Sequence, residues 1–312
     1  MNLPKPFFVL APMDDVTDVV FRQIVHECAP ADLYMTEFVN VDGLQSPGRE
    51  KLLPKLKLAA NEGPVIAQIW GKNPENYYKT TKELKEMGFV GVDINMGCPD
   101  KAVLKNGCCS ALIDNRGLAG ELIAATSDAA GEDFPVSVKT RLGLSKIDFT
   151  WHEFLLKHKL NMLTIHTRTT KEMSKVPAHW DDIVPIRELR DALSPATLLV
   201  GNGDVQNRAH GTELAEQYKL DGIMIGRGIF DDPYTFSKSS PWADQTKEQK
   251  IALYRQHVAL FANTWRNDER RVVTLNKFCK VYINGFANAK ELREELMAAR
   301  STDKLLDVLD KA

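Results

Sequence analysis

Eight short runs of apolar, β-branched residues recur along the chain, and a longer segment of helical period follows each of them. This alternation constrains the fold more than any other feature. The runs are 7–13, 33–40, 64–71, 91–99, 134–143, 162–169, 197–204 and 222–230, with starts 26, 31, 27, 43, 28, 35 and 25 residues apart. Each interval fits one strand, one helix and two loops. In 76–87, 118–130 and 205–218 the apolar residues return at helical spacing. Strands alternating with helices predict parallel βαβ units, and near-continuous apolar runs predict strands covered on both faces. Eight such units in about 230 residues predict an α/β fold, a (β/α)8 TIM barrel. An open doubly wound sheet is the alternative, but no GxGxxG follows the first run.

Past residue 230 the pattern changes. Only helix-like stretches follow, at 247–266, 273–282, 290–299 and 303–309, after the breaker Ser239-Ser240-Pro241. The expected division is a catalytic barrel over 1–240 and a small all-helical domain over 241–312.

Composition narrows the class. The 312 residues are 44% hydrophobic and 26% charged with a formal net charge of -2, which excludes a disordered chain and a disulfide-stapled miniature. No apolar run reaches the ~18 residues of a membrane span. The first residues run directly into Phe7-Phe8-Val9-Leu10 without the layout of an export signal. Five cysteines, at 28, 98, 108, 109 and 279, are an odd number without a CxxC pair. That argues against a disulfide framework and a zinc site and for a reducing compartment. A cytoplasmic, metal-free monomer is expected.

Function in a barrel sits at the C-terminal ends of the strands. Those ends carry Pro12-Met13, Glu37, Gln68, Asn95 with Cys98, Lys139 with Arg141, His166 with Arg168, Asn202-Gly203-Asp204 and Gly226-Arg227-Gly228. Solvated loops explain one polar residue per strand end, but not Gln, Lys, Arg and His closing one apolar strand after another. The glycines of the last two strands, with Arg227, suit a phosphate, although tight turns alone also call for glycine. Lys139 and Arg141, two apart on a strand, share a face and call for an anion such as a reduced flavin. Salt bridges to Asp93 or Glu37 are the ordinary alternative for Arg141.

Cys98 ends the fourth run and opens the longest interval, so it does not read as a packing residue. The other four cysteines do, with Cys108 and Cys109 expected to pack beneath the loop. Between 255 and 290 stand seven basic residues (255, 266, 270, 271, 277, 280, 290) against two acidic ones (268, 269), while Lys101 and Lys105 flank Cys98 in sequence. These cations suit a polyanion, or else ordinary solvated helix faces.

Taken together, these motifs resemble the tRNA-dihydrouridine synthase family of flavoenzymes. Ala11-Pro12-Met13, Thr36-Glu37, Gln68, Asn95-Met96-Gly97-Cys98-Pro99, Val138-Lys139-Thr140-Arg141, His166-Thr167-Arg168-Thr169, Asn202-Gly203-Asp204 and Gly226-Arg227-Gly228 follow the family order. The chain departs from its usual pattern at Asp14-Asp15 and Thr167, and 171–179 lacks a Gln-x-Tyr. The resemblance implies bound FMN, NADPH as reductant, and a uracil ring in tRNA, flipped out of its stack, as substrate. It implies that Ala11, Pro12, Met13, Gln68, Lys139, His166, Asn202, Gly203, Asp204, Gly226 and Arg227 hold the flavin. Cys98 would be the acid and Asn95 would face the uracil, with Arg141, Arg168, Lys101 and the tail cations Arg270, Arg271 and Lys277 as further substrate contacts. Alternatives are an FMN barrel acting on a small molecule, as dihydroorotate dehydrogenase does, an rRNA target, or an RNA-binding module that has lost its flavin.

Overall fold

A computed structural model describes residues 3–266 and 269–312, so Asp268 of the basic stretch lies outside the described residues. Eight parallel strands close into a barrel: β1 Phe7–Leu10, β2 Leu33–Met35, β3 Val65–Trp70, β4 Gly91–Met96, β5 Val136–Arg141, β6 Met162–His166, β7 Leu198–Asn202 and β8 Gly222–Ile225. Each pairs with the next, and β1 closes the ring on β8 through Phe7–Gly222 to Leu10–Ile225. The open doubly wound alternative is therefore excluded.

Alternation along β1 sorts its side chains into two cores. Phe7, Val9 and Ala11 join Leu33, Met35, Ile66, Met162, Val200 and Met224 inside the barrel, while Phe8 and Leu10 pack outward in the larger core. Helices cover the outside, and their starts are written in the sequence. Asp18 accepts from Phe21 N at 2.9 Å at the head of Val19–Cys28, and Asn73 accepts from Glu75 N ahead of Pro74–Glu86. Such caps are each worth about 1 kcal/mol.

The second predicted run breaks in two. β2 stops at Met35, and only Val39–Asn40 returns to pair with Ile69 and Trp70. Between them the Thr36 hydroxyl accepts from Gln68 N at 3.0 Å, and Glu37 turns aside, fully buried.

Beyond Pro241 the chain is helical: Lys247–Thr264, Asn276–Tyr282, Ala289–Ala298 and Thr302–Leu309. Their core is continuous with that of the barrel. Phe278 lies 4.7 Å from Phe21 between ring centroids, and the Trp265 indole N–H donates to Asp18 at 3.1 Å. Among the described residues no helix is long and apolar enough to cross a membrane.

Candidate active site

The strand ends surround a cavity of about 720 Å³ at the C-terminal mouth of the barrel. Every residue expected at the flavin except Gln68 lines it, from Ala11-Pro12-Met13 on β1's exit to Gly226-Arg227 after β8. The volume falls in the usual range of ligand sites. Ser174, Gln206 and Phe230 also line it; nothing in their local sequence singles them out.

Two kinds of glycine meet at this mouth. A Cβ on Gly203 (φ +134°) would lie 2.8 Å from Thr167 Oγ1, and one on Gly228 would lie 2.4 Å from the Gln206 carbonyl, so both answer to packing. A Cβ on Gly226 would meet only Ala11 Cβ, at 3.6 Å. Gly226 therefore leaves open space on the cavity.

The charges at the mouth follow an order. Lys139 has no carboxylate within hydrogen-bond distance among the described residues, and burial together with the Arg141 charge pulls its ammonium down to about 8. A desolvated cation of this kind favours an anionic ligand. His166 stays neutral because burial and the nearby Lys139 push it well below its usual range. Arg168 Nη1 can only donate to His166 Nε2, at 3.1 Å, which leaves the ring proton on Nδ1. Asp204 is gripped by Arg168, by Arg227 at 2.8 Å and by Ala178 N at 3.0 Å. Arg227 remains largely exposed.

Three expected substrate residues are engaged in the protein's own hydrogen bonds. Arg141 pairs with neither Asp93 nor Glu37. It is buried and donates to the carbonyls of Gly97 (2.7 Å), Thr169 (3.1 Å) and Met173 (2.8 Å), bracing two loops. Arg168 is 2% exposed and also donates to Val176 O, so it lines the cavity as part of a network. Arg270 is a correction. Its side chain is 9% exposed and closes on Glu37 at 2.8 and 3.0 Å and on Asp18 at 3.2 Å, so it binds the tail to the barrel and is not free for RNA. Arg271 and Lys101 are exposed, without an ion pair among the described residues, and Lys277 contacts Asp15 at 3.3 Å while staying 41% exposed.

Gln68 and Asn95 belong to a buried relay beneath Cys98. Asp93 accepts from Ser137 at 2.6 Å and from Gln68 Nε2 at 2.7 Å; Gln68 Oε1 accepts from Asn95 Nδ2 at 2.9 Å. Asn95 Oδ1 in turn accepts from Gly97 N at 3.1 Å and Cys98 N at 2.9 Å. The relay spans β3, β4 and β5 and fixes the turn that carries the cysteine. Burial raises Asp93 to about 6.

The Cys98 thiol is half-buried and held down to about 7. The largest cause is the neighbouring Cys109 thiol, opposed by burial and by the Asp100 carboxylate and aided by the Asp100 N–H; Lys139 adds least. Cys108 and Cys109 are both buried, as the sequence suggests for cysteines packed beneath the loop. Cys28 and Cys279 do fit the packing role: burial pushes Cys28 up to about 12, and Cys279 is buried 3.1 Å from Tyr254 Oη.

Comparison with known proteins bears on the fold and on the family. The solved structure of morphinone reductase in complex with tetrahydroNAD matches 75% of this chain and 86% of its own, with a TM-score of 0.53 at 14% identity. Histamine dehydrogenase from Rhizobium sp. 4-9 matches 81% of this chain and 48% of its own, with a TM-score of 0.56 at 13% identity. These likenesses establish the barrel fold. Probable tRNA-dihydrouridine synthase 2 of Bacillus subtilis (strain 168) is 46% identical over 99% of this chain and 94% of its own length. A probable tRNA-dihydrouridine synthase of Staphylococcus aureus (strain Mu50) is 44% identical over the same shares. The family model described as dihydrouridine synthase (Dus) matches residues 9–312, and the chain belongs to that family.

Proposed function

We propose that this protein is a tRNA-dihydrouridine synthase that reduces the C5=C6 bond of uridines in tRNA, using bound FMN recharged by NADPH. One arrangement supports the reading above all. Lys139 lines the cavity as a cation with no carboxylate within hydrogen-bond distance among the described residues, and its charge bears on the thiol of Cys98.

The residues present fit a flavin mononucleotide. Lys139 offers a counter-charge to the electron-rich edge of the ring, while Gln68, outside the cavity lining, links Asp93 to Asn95. His166, through its Nδ1 proton, Arg227 and the open space at Gly226 suit the ribityl and phosphate, with Asn202 to Asp204 beside them. When bound, the flavin supplies the hydride to C6 of the uracil.

The protein's own part is placement and the proton. Addition at C6 leaves an enolate conjugated to the C4 carbonyl, and Cys98 protonates it at C5. A thiol held near 7 is matched to proton transfer at neutral pH. Asn95 holds the turn that aims it. A uracil stacked in tRNA must be flipped out to reach the mouth, and Arg271, Lys277 and Lys101 are the exposed cations that meet the phosphates.

Single turnover tests this. Pre-reduced, flavin-loaded enzyme is mixed with unmodified tRNA, rRNA, free uridine or orotate, and dihydrouridine and flavin oxidation are followed. Only tRNA is expected to react, and Cys98→Ala should slow that step ~10²–10⁴-fold while keeping its flavin and its reduction by NADPH. Turnover of orotate or uridine at the tRNA rate would replace the reading with a small-molecule enzyme, and preference for rRNA would change the substrate. A wild-type rate in Cys98→Ala would remove the cysteine from the chemistry.

A further inference from the structure

Two neighbouring walls of the cavity are held from behind by the helical tail. β1 and β8 pair side by side, and Ala11 N extends their ladder by donating to Ile225 O at 2.9 Å. Their exits carry Ala11 to Met13 on one side and Gly226 to Gly228 with Phe230 on the other. Past Ala11 and Ile225 neither exit is strand, so its place depends on turns and side-chain contacts.

Phe230 lines the cavity and packs on Phe278 of the tail helix Asn276–Tyr282, with ring centroids 6.5 Å apart and planes at 38°. Phe278 is buried and also meets Phe21 and His257, each at 4.7 Å. Such spacings belong to packed aromatic side chains. Behind the other exit, the Asp15 N–H, two residues past Met13, donates to Glu37 Oε1 at 2.6 Å, and Arg270 closes on that carboxylate at 2.8 and 3.0 Å. Thr17 ties the turn, its hydroxyl accepting from Met13 N and its N–H donating to Met13 O, both at 3.0 Å. Neither Phe278 nor Arg270 lines the cavity itself.

We propose that the tail completes the flavin site: Phe278 and Arg270 are positioning residues that hold the β8 and β1 exits in the shape that takes the cofactor. This rests on the reading of the cavity as a flavin site. A wall released from its support samples several arrangements, and affinity falls with the fraction of time the competent one is present. Truncating Phe278 removes the ring on which Phe230 packs and leaves a space beside it. Changing Arg270 loosens Glu37, and with it the partner of the Asp15 N–H.

Flavin-loaded full-length protein is diluted, and the fluorescence of released FMN gives the dissociation constant at a temperature where circular dichroism shows each protein folded. Phe278→Ala should raise that constant about tenfold, as for a wall in place roughly a tenth of the time. Phe278→Met, which refills most of the space, should return it to within about threefold of wild type. Arg270→Lys keeps the charge but not the two-pronged contact and should raise the constant about threefold; it reads the same question where Phe278→Ala does not fold. Leu305→Ala, a truncation of a buried residue in Thr302–Leu309, is the control. It costs stability too, and its constant should stay at the wild-type value. Equal weakening in Leu305→Ala would make flavin loss a consequence of general destabilisation and overturn the proposal. Wild-type constants in the folded Phe278 and Arg270 variants overturn it as well. A wild type that holds no FMN removes the flavin reading itself, which is a different result from a wild type that holds it no more tightly than its variants do.

Discussion

Arg270 and Glu37, 233 residues apart in sequence, form a two-pronged ion pair at 2.8 and 3.0 Å that joins the helical tail to the mouth of the barrel. Glu37 is fully buried, and its Oε1 also accepts from Asp15 N at 2.6 Å. Asp18 adds a second anchor, accepting from Trp265 Nε1 and contacting Arg270 Nε. The tail is thereby tied to the barrel at Glu37 and Asp18.

Removing Arg270 strands a buried carboxylate. Arg270→Ala should destabilise the protein by about 3–5 kcal/mol, the usual cost of breaking a buried pair from one side. The double variant Arg270→Ala/Glu37→Ala should lose less than the sum of its two singles, because the second change removes the stranded charge. Urea unfolding of the three variants checks this; strict additivity would show that the two side chains act independently.

Much of the mouth could be read from the sequence because its residues occupy the ends of apolar runs. Lys139, His166, Asn202 and Arg227 each stand where a periodic strand signal stops, and a barrel turns that position into cavity lining. Arg270 could not be read in the same way. In a basic stretch between two helix-like segments it looks like any solvated cation, and its carboxylate partner lies in a run that reads as continuous strand. The break at Thr36–Glu37 is a tertiary effect: a buried charge draws the backbone out of the ladder.

Lys139 gives the protein a stability signature in alkali. Its folded value, about 8, lies below the ordinary lysine value of 10.5, so above pH 8 the native state sheds a proton that the unfolded chain keeps. Stability of the flavin-free protein should therefore rise from about pH 8 towards pH 10, with the unfolded state binding more protons across that window. Lys139→Met should flatten the rise, weaken flavin retention and slow reduction by NADPH. Unfolding midpoints against pH, with the flavin-to-protein ratio, decide it. A wild-type pH profile together with full flavin content in the variant would place the relevant cation elsewhere.

Of the cations proposed to contact RNA, Arg271, Lys277 and Lys101 are exposed. Replacing all three by Glu should weaken tRNA binding and reduce the slope of log affinity against log salt by about one for each phosphate no longer neutralised. Flavin content and unfolding should stay near wild type, since Arg271 and Lys101 are exposed and Lys277 has only a surface contact with Asp15. Binding measured at several salt concentrations tests this. An unchanged slope would move the RNA off this face.

Asn95→Ala separates a residue that aims the acid from one that merely lines the site. Its Oδ1 takes two backbone N–H groups, Gly97 at 3.1 Å and Cys98 at 2.9 Å, and its Nδ2 holds Gln68. The side chain is 6% exposed, so water does not readily replace those bonds. Truncation should destabilise the protein by about 1–3 kcal/mol for each donor left without a partner. It should also slow proton transfer, because the turn carrying Cys98 loses its anchor, while reduction of the bound flavin by NADPH stays normal. The expected pattern is a lower single-turnover rate with tRNA at unchanged tRNA affinity. A weaker tRNA affinity with an unchanged rate would instead mean that Asn95 acts by contacting the uracil directly, and the relay beneath it would then be a structural support only.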